Sequence, residues 1–289
     1  MFVIESLCRP KQRKNAPFPG YNEDLVGRCG NVFWLLDGSS TSARLAGPRP
    51  PITGYDLVSR LDALLKTHAP AFADRPLVDL LAQCETVYDP LPCGDELREL
   101  QHSAPHTCVV LVRFAPDHVD YVLLQDASLL VRQPPRDEVL VLKDVRQDEF
   151  NRTHYARLAQ QLRGGEGFGG AGFNATLDEM VDREREHRNK PGGFCTFTGL
   201  PGAAAQAVSG TIGFDPLRGI ELLLASDGAA RAWEVFGGDV PTKFSAPLSR
   251  LLDEVRADEL NDAEGARAPR VSRNDDFGAL RIRVLPVEP

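Results

Sequence analysis

Four acidic signals in this chain have the type and setting to hold hard cations. They are Glu23/Asp24, Asp37 ahead of Gly38, Asp227 ahead of Gly228, and Asp275/Asp276. Two of them close short apolar runs, Asn31-Val32-Phe33-Trp34-Leu35-Leu36-Asp37-Gly38 and Ile220-Glu221-Leu222-Leu223-Leu224-Ala225-Ser226-Asp227-Gly228. A short apolar run reads as a buried strand. The Asp-Gly step reads as its abrupt end, because glycine lets the backbone turn sharply. Two such strands would carry two carboxylates on rigid supports to one place. Clustered carboxylates repel one another and lose hydration, so a buried set calls for cations. Hard divalent cations take oxygen ligands, and a pair of them can activate water and stabilise in-line displacement at phosphorus. A lone Asp-Gly is an ordinary turn; the signal is the set.

The elements that must position these acids follow from the periodicity. Residues 2–8 read as an edge strand, followed by a basic, Pro-rich segment from Arg9 to Gly20. Ser39-Ser40-Thr41 could cap a helix. Helical spacing recurs over Tyr55 to Leu65 and from Leu77 through Val87, with Leu97 to Leu100 extending a further helix after Asp95. Thr107 to Val112 and Val119 to Leu124 form a hairpin pattern, and Leu129 to Arg132 with Val139 to Leu142 continue it as a meander. Helical patterns cover Glu149 to Gln161 and Leu177 to Arg188, separated by a glycine-rich loop from Gly164 to Gly172. After Asp227 come a helix around Trp233, a loop, a helix from Ala246 to Leu260, and a last strand from Ala279 to Val284. There is no internal repeat and no obvious linker, so residues 1–289 read as one domain.

Composition bounds the function. The chain has 289 residues, 42% hydrophobic and 26% charged, ordinary values for a globular protein with a substantial core. Its net charge of −8 argues against nucleic acid or an anionic membrane as partner. The six cysteines show no CxxC or other zinc-ligand spacing, which fits reduced thiols. No apolar stretch has the length of a signal peptide or a membrane span, so a cytoplasmic protein is expected. His106 reads as a structural or surface histidine, and the run from Arg183 to Arg188 as a solvated helix face.

In order, Asn22-Glu23-Asp24, Leu36-Asp37-Gly38, the hairpin ending Leu124-Gln125-Asp126-Ala127, Leu224-Ala225-Ser226-Asp227-Gly228 and Asp275-Asp276 resemble the motifs of the PP2C-like, metal-dependent serine/threonine phosphatases. The resemblance runs from about Asn22 to Val284. It implies an α+β fold, a four-layer α-β-β-α sandwich with two central antiparallel sheets flanked by helices. It implies two Mg2+ or Mn2+ ions, with Asp37 bridging them, the Gly38 carbonyl binding one, Asp227 and Asp275 on the first ion, and Glu23 or Asp24 on the second. A water between the ions would attack the phosphoester of a phosphorylated protein or a small phosphorylated metabolite. Asp126 would serve a weaker third ion, and residues 134–213 would form the variable flap.

The departures are specific. Pro19 stands where the family often has a phosphate-binding arginine, leaving Arg13 or Lys14 as substitutes. Ser39-Ser40-Thr41 replaces the usual residues after Asp-Gly. Arg231 stands four residues after Asp227, where many members carry a further Asp. A guanidinium there opposes a third metal and is expected to point into the site and bind phosphate. These departures keep a second reading open, an inactive pseudophosphatase serving as a regulatory binding module.

Overall fold

Alternate residues of strand β3 (Val32–Ser39) serve two different cores. In the computed structural model, which describes residues 1–11, 22–40, 53–88 and 104–286, Phe33 and Leu35 join one apolar cluster while Val32, Trp34 and Leu36 join another. Successive side chains on a strand point to opposite faces, so a strand covered on both sides needs an unbroken apolar run. That is why Val32 to Leu36 carries no polar residue.

The strand lies in an antiparallel five-stranded sheet ordered β2 (Asp24–Cys29), β3, β4 (His106–Phe114), β5 (His118–Leu124) and β8 (Val208–Gly213). A second antiparallel sheet is ordered β1 (Phe2–Arg9), β10 (Phe277–Val284), β9 (Ile220–Ala225), β6 (Ser128–Arg132) and β7 (Val139–Lys143). Phe33, Leu35 and Val110 meet Leu129, Leu222 and Ile282 between the two. Helices α1 (Gly54–His68) and α2 (Leu77–Gln83) cover the outer face of the first sheet through Leu57, Leu61 and Leu81. Helices α3 (Arg146–Arg163) and α4 (Ala171–His187) pack on each other through Leu158, Leu162, Phe173 and Met180. Helices α5 (Asp227–Glu234), α6 (Val240–Ser245) and α7 (Leu248–Asn261) cover the second sheet through Ala230, Phe244 and Leu251. The result is the expected α-β-β-α sandwich.

Several local expectations are corrected. The meander is two sheets: the chain leaves the first after Leu124 and enters the second at Ser128, so Asp126 sits in the crossing. Gln125 makes that step with φ 66°, and its N–H donates to Asp144 Oδ2 at 3.3 Å. Strand β2 pairs with β3 across Gly30, whose φ of 59° suits a glycine. The helix from Leu77 ends at Gln83, while α4 starts at Ala171, inside the expected glycine loop. Helix α6 replaces part of an expected loop. The strand β7 and the strand β8 are edges of the two sheets, so the helical pair α3–α4 is what lies between them in the expected flap. Thr41 and the stretch Leu97 to Leu100 lie outside the described residues; Thr53 caps α1. Among the described residues Cys8, Cys29, Cys84, Cys108 and Cys195 are free thiols, and no helix is long and apolar enough to cross a membrane.

Candidate metal centre

Antiparallel register puts Asp24 on β2 directly opposite Asp37 on β3, and directly opposed residues share a face. Asp227 opens α5 immediately after β9, and its backbone N–H donates to Asp37 Oδ2 at 3.1 Å. One hydrogen bond thus joins a carboxylate of the first sheet to a helix start of the second. Ser226, fully buried, fastens that junction: its N–H donates to the Gly278 carbonyl and its Oγ accepts from the Gly278 N–H, both at 2.9 Å.

The glycines after these two aspartates are not turn residues. Strand β3 continues through Gly38 to Ser39, and Gly228 lies inside α5. A Cβ on Gly38 would stand 2.7 Å from the Glu23 carbonyl oxygen and 2.8 Å from Val58 Cγ1, and one on Gly228 would overlap the Asp276 carbonyl oxygen. Both positions exist so that another backbone can pass close by.

Burial and mutual repulsion dominate the electrostatics. Burial first, then the charges of Asp276, Asp227 and Asp275, raise the Asp24 carboxyl well above the usual carboxylate range. Asp37 is raised likewise by burial and then by Asp24, Asp227 and Asp126. Burial, Asp275 and Asp126 push Asp227 up to about 7, against the easing charges of Arg231 and Lys11. Both Asp24 oxygens are buried without a hydrogen-bond partner, although the Ser226 hydroxyl eases its charge. Asp126 is raised by burial and eased by Lys143 and by the Cys108 thiol, which donates to its Oδ1 at 2.9 Å.

Asp275 differs. Burial would raise it too, but Arg231, Lys11 and Ser272 outweigh that and hold it below the usual range. Arg231 Nη2 and Ser272 Oγ each donate to its Oδ2 at 2.8 Å, and Lys11 Nζ lies 3.4 Å from Oδ1. Asp275, expected as an ion ligand, already carries two protein cations. Asp276 accepts from the backbone N–H groups of Lys11, at 2.7 Å, and Glu23, at 3.1 Å, so it ties together the two flanks of the segment from 12 to 21.

Three expected site residues have protein partners. The Glu23 side chain accepts from the Ser40 hydroxyl beside the start of α1, while Asp24 lies opposite Asp37. Arg231 is not a surface charge, and it lines the smaller cavity beside Asp227. It is 3% exposed, and Glu259 at 2.7 Å, Ser272 at 2.6 Å and Asp275 at 2.8 Å take up its Nη1 and Nη2 atoms. Arg256 joins Glu259 from the other side at 2.6 Å. A lysine stands beside Asp126, where a third ion was expected: Lys143 Nζ bonds Asp148 and Glu234, each at 3.0 Å, and is the largest easing charge on Asp126. Pro19, Arg13 and Lys14 lie outside the described residues.

A cavity of about 310 Å3 opens on this cluster, and Lys11, Asp37, Gly38, Asp126, Asp227 and Asp275 are among the residues that line it. A neighbouring one of about 250 Å3 shares Asp126 and Asp227 and includes Lys143 and Arg231. Among the described residues no three His, Cys, Asp or Glu side chains are drawn together closely enough to hold an ion, the spacing expected of acids that repel. The donor set still fits divalent cations: it is all oxygen, Asp24 is orphaned, and Asp24, Asp37 and Asp227 are held against their preference for ionisation.

That strain has a sign. Unfolded carboxyls titrate near about 4, while these three titrate higher in the folded chain, Asp227 at about 7. The folded state then binds more protons, so the stability present below about pH 4 is lost as pH rises toward 7. EDTA-treated protein should melt lower at about pH 8 than at about pH 5.5, and Mn2+ should restore it at the higher pH. A melting temperature that rises over that interval in EDTA would contradict the clustering.

Sequence reading missed Lys11, Lys143 and two arginines at the end of α4, Arg188 being the residue that caps it. Arg185 and Arg188, expected on a solvated face, are 5% and 8% exposed. The legible signal was the stripe Phe173, Thr176, Met180, Glu184, whose three- and four-residue spacing carries the buried face into the charged run.

Neither a family model nor a curated protein matches the sequence. Solved structures do. A bacterial serine phosphatase aligns over 100% of both chains at TM-score 0.56 and 11% identity. The serine/threonine phosphatase PstP/Ppp of Mycobacterium tuberculosis aligns over 100% of this chain and 99% of its own, at TM-score 0.52 and 14% identity. The catalytic domain of PstP in complex with two manganese ions aligns over 99% and 98%, at TM-score 0.50 and 14% identity. Identities this low carry architecture rather than chemistry, and on that architecture the chain has the PP2C-like fold of bacterial serine/threonine phosphatases.

Proposed function

We propose that the protein is a divalent-metal-dependent phosphomonoester hydrolase, acting on phosphoserine or phosphothreonine in proteins. The observation that carries this reading is the trio Asp24, Asp37 and Asp227: mutually repelling carboxylates from both sheets, Asp24 buried and the other two half-buried on the wall of an open cavity. Asp24, Asp37, the Gly38 carbonyl and Asp227 would hold two Mg2+ or Mn2+ ions. When bound, such a pair supplies a water acidified toward neutral pH and positive charge opposite the transferring phosphoryl group. The chain's own part is orientation. The Asp227 N–H fixes the Asp37 carboxylate, and Lys11, on the cavity wall, brings a cation to where a phosphoryl oxygen would lie. Manganese ions in the PstP complex agree with this use of the site.

A second reading has its own observation. Lys11 and Arg231 already neutralise Asp275, as would suit a binding module that has lost the chemistry. Hydrolysis of p-nitrophenyl phosphate and of phosphoserine peptides, with Mn2+, with Mg2+ and in EDTA, separates the two. Mn2+-dependent turnover abolished by EDTA is the expected result. Bound metal with no turnover selects the inactive module, and turnover of small phosphorylated metabolites without peptides would replace the protein substrate.

A further inference from the structure

Gln125 stands immediately before Asp126 with a backbone conformation that few residues other than glycine take. Its φ is 66°, in the left-handed region that glycine enters without strain and a long side chain does not. The step from the first sheet to the second needs that turn, but it does not need a glutamine. Strain of this kind gathers at functional sites. Gln125 is 4% exposed and lines the cavity of about 310 Å3. A relay from the helical pair fixes which way its amide lies. Glu184 on α4 accepts from Asn151 Nδ2 and, at 3.0 Å, from Gln147 Nε2, both on α3. A carboxylate only accepts, so Gln147 turns its oxygen the other way, where it accepts from Gln125 Nε2 at 2.7 Å. The carbonyl end of Gln125 is left over. Among the described residues that Oε1 is buried without a hydrogen-bond partner. A buried acceptor with no donor costs stability, and reversing the amide would only move the deficit to Gln147.

We propose that Gln125 is a specificity-determining residue whose Oε1 accepts a hydrogen bond from a backbone N–H of the substrate, beside the residue that carries the phosphoryl group. This rests on the phosphoprotein reading of the site. Asp37, Asp126 and Asp227 line the same cavity as Gln125, so a peptide whose phosphoryl group meets them brings its main chain into that space. Every peptide offers such a donor whatever its sequence. An uncharged acceptor can take it without adding a further charge to a site already rich in carboxylates. Because Gln147 and Glu184 hold the amide from α3 and α4, its orientation is set before a substrate arrives, which lowers the cost of binding.

A phosphoserine peptide whose bridging oxygen is replaced by CH2 cannot be cleaved, and calorimetry reads its binding to the full-length protein with Mn2+. Two analogues carry an ester in place of the amide, at the phosphoserine itself or at the residue after it, and each lacks one N–H. The parent should bind one of the two esters about tenfold more weakly than the all-amide peptide. In Gln125→Met that ratio should fall to about one. Gln125→Gly, which takes the backbone conformation freely, should do the same and serves if the methionine variant fails to fold. A glutamine with only a structural role would weaken all three peptides alike and leave the ratio standing. Equal binding of the three peptides by the parent, with Oε1 left to a water, overturns the proposal. So does a ratio that survives in the variants, or a peptide that does not bind at all. Hydrolysis of p-nitrophenyl phosphate with Mn2+ judges the phosphatase reading separately: discriminating binding without turnover sinks that reading and leaves the Gln125 contact standing.

Discussion

Replacing Asp37 with asparagine should leave a folded protein that hydrolyses no phosphoester at any Mn2+ concentration, and Asp227→Asn should do the same. Asp37 connects acids of the two sheets, opposite Asp24 in register and bonded by the Asp227 N–H. An amide oxygen keeps the shape and part of the hydrogen bonding but removes the charge that two divalent ions require. Several kcal/mol of transition-state stabilisation goes with them, a loss of at least about a thousandfold in kcat/KM. The metal-free variants should be more stable than the parent at neutral pH, because burial and like charge penalise the ionised form. Turnover within about tenfold of the parent at saturating Mn2+ would refute the assignment of the site. A fall in the metal-free melting temperature would refute the repulsion argument.

Arg231→Ala should be the most destabilising single change in this region. Arg231 and Glu259 form an ion pair at 2.7 Å with both side chains 4% exposed, and Asp275 shares the same guanidinium. Removing the cation leaves two acids facing a cavity, with Arg256 the one remaining described ion pair of Glu259 and Lys11 that of Asp275. Breaking a buried pair from one side costs about 3–5 kcal/mol, read as a shift in the denaturation midpoint. Arg231→Lys should recover only part, because a single ammonium cannot hold Glu259, Ser272 and Asp275 together. A loss under about 1 kcal/mol would place the residue among ordinary surface charges.

The strand ends were legible because apolar runs and the acids that close them are local in sequence. Val32 to Leu36 and Leu222 to Ala225 announce buried strands, and Asp37 and Asp227 follow from them. The glycines beside those acids were read for the wrong reason. What Gly228 must admit is the carbonyl of Asp276, and no local pattern says which distant backbone will pass there. Lys11 was illegible on the same ground, its partner Asp275 lying 264 residues away. Arg231 was expected to point into the site; its commitment to Glu259 depends on how α5 packs on α7, which no local pattern announces. Charge runs mislead when a helix is covered on its polar side, as α4 is at Glu184 and Arg185.

Lys143 gives the Asp126 side of the site a counter-ion of a different kind from those expected beside Asp37. An ion held by mass action departs as its free concentration falls. An ammonium anchored on β7 and braced by Asp148 and Glu234 is present at a fixed effective concentration whatever the solution contains. That part of the charge balance around Asp126 is therefore set once, when the chain folds. On the proposed metal reading, the Asp24, Asp37 and Asp227 half would follow metal abundance while the Asp126 half keeps its fixed cation, half sensor and half permanent fixture.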